Sequence, residues 1–538
     1  MEFNGRIVEF LENKSILVTG STGFLGKVFV EKLLRVQPNV KHLFLPLRAL
    51  DPTSAAQRLH SEVLGKEVFS VLRTKYGVGF NSFISAKVTA VAGDIALKNF
   101  GLTDDSNLLK KLLKEVDVVA HFAATAKFDE RYDVVLETNT IGAKNVLEFA
   151  KKCVNLEMFV HISTAYVCGE KSGVVLEKPF KMGETLNTTT NVLDMEEELK
   201  LAQKRLNELM AAQVSEKEEK DAMGVFGMQR ARLFGWPNTY VFTKAMGEML
   251  IGKLGENVPH VIIRPTIVTG TYKEPFPGWS EDVRTVNGFI LASAKGKLPC
   301  YPGNVETIID MAKICFQATS ILSSTSTLFN TRFLNTKLHT PILMCICGKQ
   351  VPGDMVVNAT IVAMVVHANL HKSSTNNQFI YQVCSSKADH VNSDRVMNSV
   401  YKYFSKNPLI GKNGKPIQAV NPVRFPTMNS FRRYVFFKCE LPLKVLEFVN
   451  VALLQYISDT CKDVERRINQ MSRMIELNEP YLFFKGQFDD ANTERLRMLV
   501  KMNQVDQDTF YFDPKSIDWD DYLMNIHISG LVKYVIRI

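Results

Sequence analysis

No stretch of this chain offers the run of about 18 uncharged apolar residues that a membrane-spanning helix needs, so no clear transmembrane segment is expected. The first residues also lack a basic stretch followed by an apolar core and a small-residue cleavage site, and Glu2, Glu9 and Glu12 come early. Neither a signal peptide nor a transit peptide is expected from that pattern. Cysteine is sparse, with nine irregularly spaced residues in 538, which suits reduced thiols facing a cytosol-like compartment. The CxC pair Cys345 and Cys347 has no companion pair, so no zinc site is read there. His367 and His371 have the i, i+4 spacing of a metal pair but no acid after the first and no third ligand, so no metal is expected. The net charge is +9, yet the basic residues are scattered. Nucleic acid is therefore not an expected partner. The excess either forms a solvated surface or draws a polyanionic ligand or an anionic membrane.

What is present is a succession of short apolar runs separated by helical spacing. Ser15–Gly20, His42–Leu47, Val88–Ile95, Val116–Ala124, Met158–Thr164 and His260–Val268 read as strands. A helix is expected through Val36 after the first run, and another over Asn139–Cys153. Buried strands alternating with helices define an α/β fold, a Rossmann-type doubly wound parallel sheet. Met195–Ala222, rich in Glu, Lys, Leu and Ala, reads as a solvated helix inserted into that pattern. Ser405–Pro426 has the composition of a linker or surface loop, and the remainder reads as a small, mainly helical unit.

Thr19–Gly26, TGSTGFLG, lies between the first strand and the first helix. Gly20 permits the tight turn, Gly23 lets the backbone approach a pyrophosphate, and Gly26 lets helix and strand pack closely, while the helix N-terminus supplies amide donors. Placed directly after a strand and at the opening of a helix, this triplet is expected to bind a dinucleotide. The second strand ends in Arg48 and the first acid is Asp51. An Arg there accommodates a 2′-phosphate, whereas an acid would bind the free ribose hydroxyl, so NADPH is expected over NADH. Asp94 and Ile95, ending the third strand, are expected to frame the adenine.

Tyr240 and Lys244, in YVFTK, share one face of a helix. A tyrosine ionises near 10 when unperturbed. A neighbouring ammonium and a positive nicotinamide are expected to lower that value, equipping Tyr240 to protonate the oxygen that gains charge as hydride arrives. The fifth strand ends in Ser163 and Thr164. Thr164 is assigned the hydroxyl that polarises the carbonyl with the tyrosine, and Ser163 the opposite face. Asn139 is expected to fix water or backbone at the site, unless it is an ordinary helix cap. Cys168 lies nearby but has no adjacent base to make it a nucleophile.

With these residues in view, the chain resembles the alcohol-forming fatty acyl-CoA reductases, most closely the plant branch of this extended short-chain dehydrogenase/reductase group. The matching stretches are TGSTGFLGK, LRA, AGDI, FAATAKFDERYD, NTIGAKN, HISTAYVCG, YVFTKAMGE, IIRPTIV, the segments around GNVETIID and PGDMVVNA, and near the end PYLFFKGQFDDANTERLR, DPKSIDWDDY and HISGLVKYV. The N-terminal stretches are shared by all extended short-chain dehydrogenases; the C-terminal ones are specific to this family. The resemblance implies reduction of a long-chain fatty acyl-CoA to a primary alcohol with two NADPH, in lipid and wax-type metabolism. It also implies a catalytic set of Tyr240, Lys244 and Thr164. The cofactor set it implies comprises Gly20, Thr22, Gly23, Phe24, Leu25, Gly26, Arg48, Asp94, Ile95, Ala123, Ala124, Asn139, Lys244, Pro265 and Ile267. One fingerprint means that both reductions share one site. Family members work at the endoplasmic reticulum, so a place at that membrane or its cytoplasmic face is implied. Val435–Tyr456, apolar but broken by Lys438, Glu440, Pro442, Lys444 and Glu447, either lies in a membrane interface or packs on the Rossmann domain.

One segment departs from the family pattern. Ala312–Gln350 contains no Asp or Glu and holds three of the nine cysteines. Its apolar residues keep no sustained period. It resembles translated non-coding sequence, such as a retained intron, and is expected to be disordered; a genuine family-specific loop is the alternative. For the function, the alternatives are a chain inactivated by this insert and an extended dehydrogenase acting on another carbonyl or alcohol substrate. The expected division is 1–311 as the NADPH-binding reductase domain, 312–350 as the insert, 351–425 as the rest of the substrate side with its linker, and 426–538 as the C-terminal domain. No motif specifies an oligomer.

Overall fold

The computed structural model describes residues 6–128, 130–187, 192–281, 286–296, 300–302, 350–370, 378–385, 393–411, 413–445 and 458–536. Ala312–Gln350, the expected disordered insert, lies outside these residues except for Gln350.

The apolar runs become the strands of one seven-stranded sheet. β1 (Ser15–Thr19), β2 (His42–Leu47), β3 (Val88–Ala92), β4 (Val118–His121), β5 (Met158–Ile162), β7 (His260–Pro265) and β11 (Gln378–Val383) lie in the order β11-β7-β5-β4-β1-β2-β3. Every neighbouring pair is parallel. Such a sheet is buried on both faces, which is why its strands read as continuous apolar runs. One core layer is built from Leu17, Phe44, Val119 and Phe159 of the strands and Val146, Leu147, Phe149 and Ile251 of the helices. The strand order reverses between β1 and β4, and ligands of such sheets bind in the crevice beyond the carboxyl ends of the strands at this point.

Short parallel pairs extend this framework. β6 (Gly173–Val175) pairs with β13 (Gly486–Phe488), and β8 (Ile267–Thr269) with β10 (Gln350–Pro352). The expected sixth strand is thus broken at Thr266 into β7 and β8. The expected helix over Asn139–Cys153 begins earlier, with one wider, π-type turn over Leu136–Ile141 leading into Gly142–Lys152. The charged insertion is two helices, Met195–Ala211 and Glu216–Leu233, the second opened by a Ser215–Glu218 capping box.

The chain divides into two compact units, Met1–Asp282 with Lys349–Val391 and Phe484–Ile538, and Val283–Gly348 with Asn392–Phe483. This grouping differs from the expected division: the last 55 residues of the chain fall in the unit of the parallel sheet rather than with 426–483. The Glu177 carboxylate shows why. It accepts from the amides of Gln382 (2.7 Å) and Asn492 (2.6 Å), joining three distant parts of the chain, and burial pushes its pKa up to about 7. Tyr522 repeats the pattern, its hydroxyl donating to the Gly270 carbonyl at 2.7 Å. Within the second unit, β9 (Cys300–Pro302) pairs with β12 (Val423–Phe425), and the helices Val286–Ala294 and Ser393–Lys406 pack together. Residues 423–425 of the expected linker are therefore a strand.

Candidate active site

The phosphate turn is built as its glycines require. Gly20 has φ +72°, and a Cβ there would lie 2.5 Å from the amide nitrogen of Ala123. At Gly26 a Cβ would stand 2.3 Å from the Gly20 carbonyl oxygen. These approaches hold the turn against the end of β4 at the reversal point. Gly23 is exposed and caps the Phe24–Val36 helix, so its first amides face outward. Lys27 braces the turn from behind: its Nζ donates to the Thr22 carbonyl at 2.6 Å and to Glu281 at 2.5 Å. Phe24 stacks on Trp279 with ring centres 4.9 Å apart, while Leu25 is half-buried.

Other expected cofactor residues stand at the same carboxyl edge. Arg48 follows β2 with an exposed side chain. Asp51 accepts from the Ser54 amide at 2.9 Å and caps the Pro52–Arg58 helix, so this acid is occupied. Asp94 accepts from the Ala96 amide at 3.0 Å, and buried Ile95 is covered by Gly142. Ala123 donates its amide to Thr19 Oγ1 at 3.3 Å, and Ala124 is exposed. Pro265 ends β7; Ile267 opens β8 opposite Gln350.

Asn139 is a brace rather than a cap. It is buried inside the helical run, where its Oδ1 accepts from Thr125 N (2.9 Å) and its Nδ2 donates to Thr125 O (3.0 Å) and Thr243 Oγ1 (3.1 Å). It thereby fixes the backbone of the loop after β4 to the Thr239–Leu254 helix.

That helix is capped by Asn238, whose side chain accepts from the Val241 amide. Its face toward the sheet carries Tyr240 and Lys244. Thr164 lies close enough to the Tyr240 hydroxyl to favour its ionised form, and the Tyr240 ring stacks on Phe128 with centres 6.0 Å apart. Thr164 accepts from the Tyr166 amide at 3.3 Å, which holds its side chain in place. Ser163 Oγ is buried and meets no hydrogen-bond partner among the described residues. Tyr240 as a whole is half-buried, but burial around its hydroxyl pushes its pKa up to about 12, with Thr164 partly opposing this. The lowering expected from a neighbouring ammonium does not appear, because two of the Lys244 contacts lie elsewhere. Its Nζ donates to the Ile162 carbonyl at 2.7 Å and meets His161 Nε2 at 3.1 Å. Burial brings the Lys244 pKa down to about 7, with Glu248 opposing. Glu248 itself is paired in the interior with Arg264 at 2.5 Å.

His161, Ile162 and Glu248 were not read as site residues. His161 carried a signal, a polar residue inside the apolar run MFVHIST, matched by His121 in VDVVAHFAA. His367, half of the discounted metal pair, is hydrogen-bonded to the Tyr381 hydroxyl and stacks on Phe379 at 4.0 Å; His371 lies outside the described residues. Cys168 is buried, and burial pushes its thiol up to about 12, which disfavours the thiolate that a nucleophile needs.

A parallel sheet with a glycine turn at its reversal point and a Thr–Tyr–Lys cluster beside it defines an extended short-chain dehydrogenase/reductase. Two sequence-family profiles, both described as "Male sterility protein", match residues 18–321 and 439–537. The "Alcohol-forming fatty acyl-CoA reductase" of Simmondsia chinensis is 46% identical over 537 residues, covering 100% of both chains. "Fatty acyl-CoA reductase 1" of Arabidopsis thaliana is 45% identical, covering 98% of this chain and 99% of that one. This chain belongs to the fatty acyl-CoA reductase family. Among solved structures, the terminal R domain of the myxalamid biosynthetic pathway superposes with a TM-score of 0.50 at 14% identity, covering 97% of this chain and 91% of that domain. A nonribosomal peptide synthetase reductase domain from Mycobacterium tuberculosis gives 0.50 at 15%, covering 97% and 92%. These two matches share the fold.

Proposed function

We propose that this chain reduces a long-chain fatty acyl-CoA to the primary alcohol through an aldehyde, releasing CoA and using two NADPH at one site. The observation that carries this reading is the placement of Thr164 beside the Tyr240 hydroxyl, with Lys244 one turn along the same helix, in a chain 46% identical over its whole length to an alcohol-forming fatty acyl-CoA reductase.

The residues fit a dinucleotide. The Gly20 position has no room for a side chain, and the exposed Gly23 end of the helix presents free amides. Gly20, Thr22, Gly23, Phe24, Leu25 and Gly26 would hold the pyrophosphate, Asp94 and Ile95 the adenine, and Ala123, Ala124, Asn139, Pro265 and Ile267 the walls toward the nicotinamide. Lys244 would hold the ribose. The exposed Arg48, with Asp51 occupied as a helix cap, supports a 2′-phosphate and hence NADPH.

When bound, the dinucleotide supplies hydride. Tyr240, kept protonated by its surroundings, donates its proton to the thioester oxygen as charge develops there. Thr164 donates a second hydrogen bond to that oxygen. Loss of CoA thiol from the tetrahedral adduct gives the aldehyde. In the second round Tyr240, reprotonated by way of Lys244, protonates the aldehyde oxygen and the alcohol forms. Each round consumes one hydride and one proton.

Peripheral contact with a membrane, at the endoplasmic reticulum or its cytoplasmic face, is part of the proposal. No helix among the described residues is long and apolar enough to cross a membrane. In the second unit, Phe437 and Val445 are 60% and 57% exposed, beside Lys438 and Lys444. Apolar groups flanked by lysines suit an anionic interface. The test of the central reading is incubation of the purified protein with NADPH and palmitoyl- or stearoyl-CoA, followed by extraction. Free alcohol supports it; no aldehyde or alcohol over that of a protein-free control contradicts it.

A further inference from the structure

Lys244 carries three donors when protonated and no acceptor. Two of the three are committed within the protein, one to the Ile162 carbonyl at 2.7 Å and one to His161 Nε2 at 3.1 Å. When Lys244 is protonated, Nε2 is the acceptor in this contact, which leaves the His161 proton on Nδ1, a buried nitrogen with no hydrogen-bond partner among the described residues. His161 is wholly buried in β5. Its neighbours keep the ring neutral. His121, opposite it on β4, lies with its ring centre 5.1 Å away and bonds Thr19 Oγ1 at 2.7 Å. Lys244, on the helix, and His260 of β7, paired with Phe159 of β5, also disfavour its charged form. Glu248 is the anion acting on Lys244 and is itself paired with Arg264. Burial and the Lys244 ammonium hold His161 far below the usual histidine range. His121 is likewise brought down to about 3 by burial.

We infer that His161 is a positioning residue of this reductase: its neutral ring accepts from Lys244 and, with the Ile162 carbonyl, aims the remaining donor of the ammonium at the cofactor ribose and the Tyr240 side of the site. Asn139 is committed elsewhere, its amide bonding Thr125 and Thr243. The grip also serves the proton cycle. A deprotonated Lys244 keeps two donors for the same two acceptors, so its lone pair turns toward the third direction and can be reprotonated there without rearrangement. His161 thus acts through Lys244 and touches no substrate.

This inference rests on the dinucleotide-reductase reading of the site, and its test has a readout that does not need the acyl substrate. His161→Phe keeps a ring of similar shape but removes the acceptor; His161→Gln restores an acceptor at similar reach. Without the acceptor the Lys244 ammonium is less favoured, so its pKa falls. The alkaline limb of alcohol formation, and the pH above which NADPH affinity falls, should both move down by about one unit in His161→Phe, a roughly tenfold change in the protonated fraction at fixed pH. His161→Gln should bring both most of the way back. NADPH affinity is read from its fluorescence on binding, and folding is checked by thermal denaturation. Should the Phe variant not fold, His161→Met, close to Gln in size but with only a weak acceptor, replaces it. Unchanged pH dependences in the folded Phe or Met variant would overturn the inference, and equal shifts in the Gln variant would reduce His161 to packing. If the wild-type protein binds NADPH but makes no alcohol, the proposed function fails while the binding curves still decide the role of His161.

Discussion

The carboxamide of Asn139 closes a two-bond ring on the backbone of Thr125, accepting from its amide at 2.9 Å and donating to its carbonyl at 3.0 Å. A third bond, to Thr243 Oγ1 at 3.1 Å, ties this loop to the helix that carries Tyr240 and Lys244. The cofactor wall and the catalytic pair are therefore set by one side chain. Asn139→Ala removes all three bonds and leaves the Thr125 amide without this partner. Losing buried bonds of this kind costs about 1–3 kcal/mol per orphaned group. Both a lower midpoint of thermal unfolding and weaker NADPH binding are expected; loss of stability alone, with unchanged affinity, would confine Asn139 to folding.

The second prediction follows from the charge of Lys244. In the free protein burial brings its pKa to about 7. An anionic dinucleotide and a ribose acceptor favour the ammonium, so the pKa in the complex lies higher. Binding therefore takes up a proton in the interval between the two values. NADPH affinity should be at its full value below pH 7 and should fall as pH rises through that interval. Titration calorimetry in buffers of different ionisation enthalpy, at pH 8, should register net proton uptake. Proton release, or affinity independent of pH from 6 to 9, would contradict this assignment.

Arg48 carries the third. Its side chain is exposed at the end of β2, and Asp51 is engaged as a helix cap. Arg48→Ala should weaken NADPH binding by about ten- to a hundredfold, the range of a charge-assisted bond to phosphate, while NADH changes little. Equal loss for both cofactors would make Arg48 structural.

The sheet was legible because its strands are buried on both faces, which leaves apolar runs such as SILVT and MFVHI in the sequence. β11, the edge strand QFIYQV, was missed because its two glutamines interrupt the pattern. One of them, Gln382, is buried and donates to the carbonyls of Val175 (2.8 Å) and Asp489 (2.9 Å), partners far away in sequence. The same long-range pairing hid the grouping of 484–538 with the sheet. Chain order suggested a separate C-terminal domain, whereas β13 completes a pair with β6. At the site, the glycine spacing and the Tyr240–Lys244 interval are local and were readable. The direction of the Tyr240 pKa was not, since it depends on where the Lys244 ammonium is drawn, and His161 and Ile162 draw it.

The central claim is that one site delivers two hydrides and that Tyr240 supplies the proton each time. Its most direct measurement is the ratio of NADPH consumed to alcohol formed, by the wild-type protein and by Tyr240→Phe, with NADPH binding followed in parallel. Two NADPH per alcohol are expected for the wild type, and for the variant a loss of both aldehyde and alcohol of at least about a hundredfold, the low end of a general acid's contribution, with NADPH affinity nearly unchanged. A folded Tyr240→Phe protein that binds NADPH and still makes alcohol at the wild-type rate would contradict the account.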